Sequence, residues 1–576
     1  MDPRRKSRTI LASISHSYLT QLRFTMLQHV LISLLAAAGT VSASTGHLKR
    51  ASTVPFAKLN NGTVTGSTSS GVDSFYGIPY ASPPIGQLRL KPPTPYNQKY
   101  PGGSFNASGT PNRCYQMSTP PGSTVTAPES EDCLTINIQR PAGTASNSKL
   151  PIVFWIYGGA FEFGSTSDND GTGFVATSSG TLNAPIIYVA VNYRLGSFGF
   201  LGGKEIQADG SSNLGLRDQR LGLQWVAENI AAFGGDPTKV TIWGDSAGSW
   251  SVLDHLLINS GDNTYKDQPL FRGAIMNSGT VLPAEHIATG KAQIIYNNVV
   301  KSAGCSASVD TLSCLRTVNS TTLKVAGQTA PNLFSYRSLD ISYLPRPDPK
   351  SKFFPTSPDV AVSLGLFAKV PLLIGDVEDE GTLFAQAQGN ITTNDQLVSY
   401  LQSFFPVSGA DQIPAIVATY ANETTNGSPF RTGSENDIYP EYKRLSAILG
   451  DLAFTLTRRT YISTLSLLTP TWSFLDTHLY GTPVVGTYHQ SDLAEIYNAS
   501  PYPVTALSYR TYYTSFINYL NPNKISTTSP LVSWPQYTRL SPNLLNLTAT
   551  GNSIIPDTFR AASGNAFKAA ALQLKW

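Results

Sequence analysis

The chain has few charged residues for its length. Asp, Glu, Lys and Arg make up 14% of its 576 residues, against about 25% in an average soluble protein. The formal net charge is +4, and no basic block lies in the body of the chain. A nucleic-acid-binding protein needs such a basic surface, so no nucleic acid partner is expected.

Linkers, repeats and low-complexity segments are also missing. Pro, Gly and Ser are spread through the chain, and predicted strands and helices alternate along most of it. A chain without dividing features favours one large unit over several domains. We therefore expect a single α/β domain over residues 51–576, with long surface loops.

Long apolar runs are limited to residues 27–38. This run follows basic residues, is too short for a comfortable membrane span, and precedes Val41-Ser42-Ala43, which resembles a signal-peptidase site. We predict a signal peptide over residues 26–43, with a signal anchor as the alternative. No other stretch resembles a transmembrane helix, so we expect a secreted, extracellular protein without stable membrane insertion.

The flanking residues complete the expected processing. Residues 1–25 form an extension before Met26, and residues 44–50 resemble a propeptide that ends at the dibasic pair Lys49-Arg50. Sequons for N-linked glycans fit the same secretory route. They lie at Asn61, Asn106, Asn319, Asn390, Asn422, Asn426, Asn498 and Asn546.

Cysteine is scarce, with four residues in the whole chain. Four cysteines allow three pairings, and the sequence alone does not choose, although proximity favours Cys114 with Cys133 and Cys305 with Cys314. Each pair would close a short loop worth roughly 2 to 3 kcal/mol by chain entropy. None of the four lies on a turn suited to a nucleophile, so a catalytic cysteine is not indicated.

What the chain does have is a serine on a sharp turn. Ser246 is the centre of Gly244-Asp245-Ser246-Ala247-Gly248, between a predicted buried strand over residues 239–243 and a helical pattern. Small residues two before and two after the serine leave room for the tight turn that exposes a nucleophile. A turn predicted over residues 233–237 precedes the strand. The alternative is an ordinary strand-turn-helix with an incidental serine.

A serine nucleophile needs a base, and in this arrangement the acid and then the histidine follow it along the chain. Of the seven histidines, His478 and His489 lie far enough after Ser246. His478 ends an alternating pattern typical of a strand, which favours a structural role. His489 lies in a turn before a helical pattern, so we predict His489 as the base and keep His478 as the alternative.

An acidic cluster follows a predicted strand over residues 370–375. Catalytic groups in open α/β sheets gather at the carboxyl ends of strands, which places this cluster near the serine. Spacing does not choose among its four carboxylates. A charge run is usually a solvated face, so we expect three of the four to be exposed. The four are Asp376, Glu378, Asp379 and Glu380.

A glycine-containing turn follows another predicted strand, over residues 151–157. In Gly158-Gly159-Ala160-Phe161, small residues let the backbone N–H groups approach a substrate closely. Its position before the serine turn is where this arrangement keeps its oxyanion loop. The alternative is a plain glycine turn.

Together these residues resemble the type-B carboxylesterase/lipase family from about residue 54 to residue 576. Six motifs carry the resemblance. They are Phe75-Tyr76-Gly77-Ile78-Pro79-Tyr80-Ala81, Glu131-Asp132-Cys133-Leu134, Asn192-Tyr193-Arg194-Leu195, Asn213-Leu214-Gly215-Leu216-Arg217-Asp218-Gln219, Phe233-Gly234-Gly235 and Gly244-Asp245-Ser246-Ala247-Gly248.

The resemblance implies an α/β-hydrolase fold, in which helices flank a large central, mostly parallel mixed sheet. It implies a triad of Ser246, Glu380 and His489. It also implies that backbone N–H groups bind the oxyanion, namely those of Gly159, Ala160 and Ala247.

The resemblance implies the disulfides Cys114–Cys133 and Cys305–Cys314, and it implies no metal or organic cofactor. Two residues depart from the family pattern. Ala160 stands where the family has a third glycine, which keeps the N–H but adds a methyl group and restricts φ. Asp245 stands where the residue before the nucleophile is often Glu.

The expected substrate is a small-molecule or lipid ester, cleaved through an acyl-enzyme. The segment between Cys114 and Cys133 is short, proline-broken and without an apolar face, so strong interfacial activation is not expected. It also lacks the tryptophan that binds choline by cation–π attraction in cholinesterases. We expect a general carboxylesterase, with a lipase or sterol esterase as the alternative and a non-catalytic adhesion-type relative as the remote one. The sequence indicates no oligomeric state.

Overall fold

The computed structural model describes residues 54–117, 119, 127–525 and 529–576. Within it, Val54–Trp576 forms one compact unit. The N-terminal extension, signal peptide and propeptide expected from the sequence lie outside the described residues. Residues 118 and 120–126, which belong to the segment between Cys114 and Cys133, also lie outside them.

Eleven strands form one large mixed sheet, and a three-stranded sheet and a two-stranded hairpin accompany it. In chain order the described strands are β1 (Phe56–Leu59), β2 (Gly62–Thr65), β3 (Ser67–Ser69), β4 (Val72–Pro79), β5 (Ser104–Asn106), β6 (Thr135–Pro141), β7 (Leu150–Ile156), β8 (Ile187–Val191), β9 (Gly235–Asp245), β10 (Thr264–Tyr265), β11 (Gln268–Pro269), β12 (Gly273–Asn277), β13 (Leu372–Val377), β14 (Thr471–Asp476), β15 (Asn543–Leu547) and β16 (Asn552–Pro556).

The centre of the large sheet is parallel and its edges are antiparallel. The strand order is β16-β15-β14-β13-β12-β9-β7-β8-β6-β4-β3, and every pair from β15 to β8 is parallel. All residues of β8, β12, β13 and β14 are buried, as expected when helices cover both faces of a parallel sheet. The α/β-hydrolase fold predicted from the sequence is therefore confirmed.

Helices connect and cover these strands. The described α-helices are α1 (Thr172–Gly180), α2 (Gly196–Gly199), α3 (Lys204–Asp209), α4 (Leu214–Asn229), α5 (Ala247–Leu257), α6 (Gly290–Ser302), α7 (Thr311–Thr317), α8 (Ser320–Gly327), α9 (Pro358–Ser363), α10 (Asn394–Gln402), α11 (Ile413–Val417), α12 (Tyr442–Gly450), α13 (Leu456–Leu468), α14 (Ser491–Tyr497), α15 (Pro503–Tyr519) and α16 (Ala561–Ala570). No described helix has the length and apolar character needed to cross a bilayer.

A π-helical stretch, Asp451–Thr455, joins α12 to α13. The three segments follow one another without a break, so one long helix carries a local widening in its middle. Such π-turns are rare and occur frequently at functional sites.

β9 begins earlier than the sequence predicts. Gly235 pairs with Leu150 and Val240 pairs with Ile152, so the intervening residues of β9 bulge out of register. The prediction of a separate turn over residues 233–237 is therefore wrong. These residues are divided between the 3₁₀ turn Ile230–Phe233 and this β-bulge, which interrupts the pairing without ending the strand.

Two disulfides tie surface loops to the core. Cys114 is bonded to Cys133, and Cys305 is bonded to Cys314. These are the pairs that the family resemblance implies. No described cysteine is free.

Candidate active site

Ser246 lies on a strained turn between β9 and α5. Its backbone has φ 54° and ψ −124°, a combination outside the common regions for a residue with a side chain. A Cβ atom on Gly244 would lie 2.3 Å from the backbone of Gly248, and one on Gly248 would lie 2.0 Å from the carbonyl oxygen of Ile156. Glycine is therefore required at both positions for the strand, the turn and the helix to meet.

Asn277, at the end of β12, supports this turn from the neighbouring strand. Its carbonyl oxygen accepts the Ser246 N–H at 3.0 Å. Its side-chain oxygen accepts hydrogen bonds from Trp243 Nε1 at 3.0 Å and the Tyr513 hydroxyl at 2.8 Å. Its amide nitrogen donates to Asp492 Oδ2 at 2.6 Å. The backbone of the serine is thus fixed by a fully buried polar network.

His489 bridges the serine and a carboxylate. Its Nε2 lies 2.8 Å from Ser246 Oγ, and its Nδ1 lies 2.5 Å from Glu380 Oε2. The side chains are shielded from bulk water, with residue exposures of 6% for Ser246, 5% for His489 and 1% for Glu380. Because Nδ1 faces a carboxylate, the tautomer that leaves Nε2 free to accept the serine proton is favoured.

Glu380 is held on the turn after β13. Its second oxygen, Oε1, accepts the Val377 N–H at 3.0 Å, so each oxygen of the carboxylate has its own donor. The next residue is Gly381, where a Cβ atom would lie 1.9 Å from the Ser446 carbonyl oxygen. The absence of a side chain at Gly381 lets this turn lie directly against α12.

The other carboxylates of the cluster are not solvated, so the expectation that three of the four would be exposed is wrong. Asp376 is fully buried and accepts a hydrogen bond from Arg458 Nε at 2.6 Å. Glu378 forms an ion pair with Arg431, and its own side chain is only 12% exposed. Arginines from distant segments of the chain offset the free-energy cost of burying these carboxylates. The local run of acidic residues in the sequence does not reveal those partners.

Asp379 joins the acid turn to the histidine loop. Its Oδ2 accepts the Thr487 N–H at 2.9 Å, and its own N–H donates to the Thr487 carbonyl at 3.0 Å. Its Oδ1 accepts the Ser428 hydroxyl at 2.7 Å. Asp379 therefore fixes the loop that carries His489 relative to Glu380.

His478, the alternative base, lies apart from this arrangement. Its Nδ1 is 2.9 Å from Asp476 Oδ1, at the end of β14, and its Nε2 is 3.7 Å from Glu495 Oε1. Burial alone would lower the pKa of His478. The negative charges of Asp476 and Glu495 raise it by more than burial lowers it, so the net shift is upward. Among the described residues, no group of three or more His, Cys, Asp or Glu side chains is arranged to hold a metal ion. The cluster of His478, Asp476 and Glu495 is therefore not a metal site.

The glycine turn after β7 presents free backbone donors. Gly159, Ala160 and Phe161 have φ values of 104°, 54° and 60°, so the chain turns through the left-handed region and Ala160 adopts it despite its methyl group. Among the described residues, none accepts a hydrogen bond from the N–H groups of Gly159, Ala160 or Ala247. Three unused donors therefore flank the nucleophile turn.

Aromatic rings form the wall beside the histidine. The ring of Phe454, from the π-helical stretch, lies 4.7 Å from that of His489, and Phe384 lies 5.1 Å from it. Trp250 stacks on Phe454 at 5.6 Å. Apolar rings next to the imidazole exclude water and lower the local dielectric constant.

Burial shifts the pKa values of the histidine and its acid partner in opposite directions. It lowers the pKa of His489, against the charges of Asp245, Asp492 and Asp376, which raise it. It raises the pKa of Glu380, against the hydrogen bond from the Val377 N–H, which lowers it. A lowered pKa favours the neutral imidazole, which is the form that accepts a proton.

The model of the carboxylesterase family matches residues 53–565. The chain belongs to this family. It is 49% identical to secreted lipase 1 of Botryotinia fuckeliana (strain B05.10) over 524 residues, which cover 87% of this chain and 90% of the relative. It is 48% identical to secreted triacylglycerol lipase LIP1 of Gibberella zeae, over 87% of this chain and 88% of the relative.

A solved structure agrees with this family assignment. EstA of Aspergillus niger superposes with a TM-score of 0.77 at 26% identity, covering 90% of this chain and 99% of that structure. The protein is accordingly a carboxylic ester hydrolase with the family's fold. Its close similarity to secreted relatives also marks it as a secreted protein, as predicted.

Three residues of this carboxylesterase-family site were missed from the sequence. Asn277 and Asp492 lie behind the serine and the histidine, and Gln490 donates to Asp245 Oδ2 at 2.6 Å. A polar residue that ends an apolar strand, as Asn277 does, is the one signal that was available. The roles of Gln490 and Asp492 depend on contacts between loops that the sequence does not bring together.

Proposed function

We propose that Ser246, His489 and Glu380 are the catalytic triad of a secreted esterase that hydrolyses lipid esters. The observation that carries this assignment is the pair of contacts made by His489, to the Ser246 hydroxyl at 2.8 Å and to the Glu380 carboxylate at 2.5 Å. A base in contact with both a hydroxyl and an orienting carboxylate is the arrangement that activates a serine.

The first half-reaction acylates the serine. Ser246 Oγ attacks the ester carbonyl carbon while His489 Nε2 takes the hydroxyl proton. The N–H groups of Gly159, Ala160 and Ala247 bind the oxyanion that forms, and each effective donor is worth about 3 to 4 kcal/mol. The carbon–oxygen bond to the alcohol then breaks, and the leaving oxygen takes the proton from Nε2.

The second half-reaction releases the acid. Water attacks the acyl-enzyme carbonyl carbon while His489 Nε2 takes one of its protons. The bond to Ser246 Oγ breaks, the serine takes the proton back from Nε2, and the carboxylic acid leaves. Glu380 keeps the imidazole oriented throughout and stabilises its positive charge.

The proposed substrates are esters of long apolar acyl chains, triacylglycerols among them. The rings of Phe384, Phe454 and Trp250 make the surroundings of His489 apolar, which suits an ester with an apolar acyl chain. Two relatives of nearly half-identical sequence are named as lipases, one of them as a triacylglycerol lipase. The second candidate is a general carboxylesterase for short soluble esters, favoured by the short segment between Cys114 and Cys133.

One assay series tests both the site and the substrate class. Wild-type protein and Ser246→Ala are compared on p-nitrophenyl esters of graded chain length and on emulsified triglyceride, and a fluorophosphonate label is mapped by mass spectrometry. We expect labelling at Ser246, loss of activity in Ser246→Ala, and a preference for long chains. Equal activity of the two proteins would exclude the triad. Preference for short chains, with no activity on triglyceride, would favour the general carboxylesterase.

A further inference from the structure

The side chain of Gln490 spans two loops of the site. Gln490 follows His489 directly, and its Nε2 donates to Asp245 Oδ2 at 2.6 Å. Asp245 in turn directly precedes Ser246. One hydrogen bond thus links the residue after the base to the residue before the nucleophile.

The backbone of Gln490 is held in a conformation that favours glycine. Its φ is 71°, in the left-handed region. Gln490 is the residue before α14, yet its side chain makes no capping hydrogen bond to that helix. A residue with a side chain persists in such a conformation where its surroundings determine it, and here the side chain is directed to Asp245 instead.

A third segment meets this contact at Gly158, two residues after the end of β7. A Cβ atom on Gly158 would lie 2.6 Å from the Asp245 carbonyl oxygen, 2.9 Å from Ser246 Cβ and 3.0 Å from Gln490 Nε2. The turn after β7, the turn at Ser246 and the Gln490 amide therefore converge around Gly158, where there is no room for a side chain. A shift of the Gln490 side chain would therefore change the position of Ser246.

The carboxylate of Asp245 depends on Gln490 for support. Asp245 is fully buried, and its other oxygen, Oδ1, has no hydrogen-bond partner among the described residues. Burial raises the pKa of Asp245 well above its usual range, and the charge of His489 and the hydrogen bond from Gln490 lower it. The hydrogen bond therefore favours the ionised carboxylate.

We propose that Gln490 is a positioning residue whose hydrogen bond to Asp245 holds the loop that carries His489 in register with the turn that carries Ser246. The inference rests on the proposed triad. It assigns to Gln490 no contact with the substrate. Loss of the bond misplaces the base relative to the nucleophile, which lowers kcat more than it changes KM.

The main test is Gln490→Gly, assayed on p-nitrophenyl butyrate with fluorophosphonate labelling measured in parallel. Glycine suits a φ of 71°, so any loss comes from the missing side chain and not from backbone strain. We expect kcat and the labelling rate to fall roughly tenfold, with KM within twofold. The matched control is Asn183→Gly, an exposed residue with φ 49° far from the site, which should keep wild-type kinetics.

A double-mutant cycle tests the partner. We expect Asp245→Ala to lower kcat as Gln490→Gly does, and the double variant to fall no further than either single variant. Asp245→Asn keeps an oxygen for the Gln490 amide and should recover most of the kcat lost in Asp245→Ala. Wild-type kcat in Gln490→Gly, or losses that multiply in the double variant, would overturn the inference.

The pH profile separates this role from a merely structural one. The charged groups that face His489 are Glu380, Asp245, Asp492 and Asp376. Without Gln490 the pKa of Asp245 rises, its negative charge beside the imidazole is reduced, and the pKa of His489 falls. The acid limb of kcat/KM should therefore move to lower pH, and a limb at the wild-type pH would overturn the inference.

Ser246→Ala, run in the same assays, keeps the two proposals apart. An inactive Ser246→Ala with an unaffected Gln490→Gly would reject the positioning role alone. An active Ser246→Ala would reject the triad itself.

Discussion

The imidazole of His489 lies 2.8 Å from the hydroxyl of Ser246, although the two residues are 243 positions apart in the chain. The serine follows β9, and the histidine lies on a loop after β14. β9 and β14 are parallel strands of one sheet, and their carboxyl ends lie on the same side of it, which brings the two side chains together. The contact between Ser246 and His489 is therefore a product of the sheet's topology.

Glu380→Gln should lower kcat about 10³- to 10⁴-fold while KM changes little. An amide in place of the carboxylate favours the wrong imidazole tautomer and removes the charge that stabilises the imidazolium. The measurement is steady-state hydrolysis of p-nitrophenyl butyrate. Glu378→Gln is the control, since Glu378 pairs with Arg431 and not with His489. A loss of less than tenfold in Glu380→Gln would exclude Glu380 as the triad acid.

Gly248→Ala should prevent correct folding of the nucleophile turn. The added Cβ would lie 2.0 Å from the Ile156 carbonyl oxygen, a backbone atom that has no room to move. We expect low soluble yield or a strongly lowered Tm. Gly180→Ala is the control. A Cβ at this position in α1 meets nothing within 4 Å, and alanine in a helix gains up to about 1 kcal/mol over glycine.

The sequence alone located the strands and turns of the site, but it did not reveal the residues that hold the side chains in place. Ser246 and the glycine turn over residues 158–161 follow apolar strands, so their place at the carboxyl ends of parallel strands was accessible from local pattern alone. Glu380 was not separable from Asp376, Glu378 and Asp379 by spacing. The family resemblance selects Glu380, and the physical basis of that choice lies in the tertiary partners of each carboxylate, which come from segments far along the chain.

The same limit explains the expectations that were wrong. The acidic cluster resembled a solvated face because its cations, Arg458 and Arg431, lie more than fifty residues away in sequence. The turn expected near residue 235 has the composition of a turn, but pairing with β7 draws it into the sheet as a bulge. In both cases long-range contacts override local propensity.

His478→Gln should destabilise the protein more at low pH than at high pH. The pKa of His478 is raised in the folded state by Asp476 and Glu495, so the stability from its protonation is fully present below the unfolded value of about 6.5. This stability is lost as pH rises through the folded pKa. The difference in Tm between wild type and variant should shrink from pH 6 to pH 9. The exposed His286 provides the control variant, His286→Gln.

Arg458→Met should cost about 3 to 5 kcal/mol in the free energy of unfolding. Arg458 is fully buried between Asp376 and Asp557. Its removal leaves the buried Asp376 without a cation, while Asp557 keeps its ion pair with Arg459. Urea unfolding followed by fluorescence measures the change. Arg431→Met, which breaks an ion pair whose arginine side chain is 52% exposed, should cost at most about 1 kcal/mol. Equal costs for the two variants would contradict this account.

The widened turn Asp451–Thr455 makes the number of residues in the helix, and not only their identity, a determinant of what packs on His489. An α-helix rotates by about 100° per residue, so deleting one residue from this stretch would turn Phe454 away from the imidazole that it now covers. The imidazole would lose an apolar neighbour although Ser246, Glu380 and His489 kept their identities. A length change in a single helix can thus alter the environment of the base without a substitution in the proposed triad.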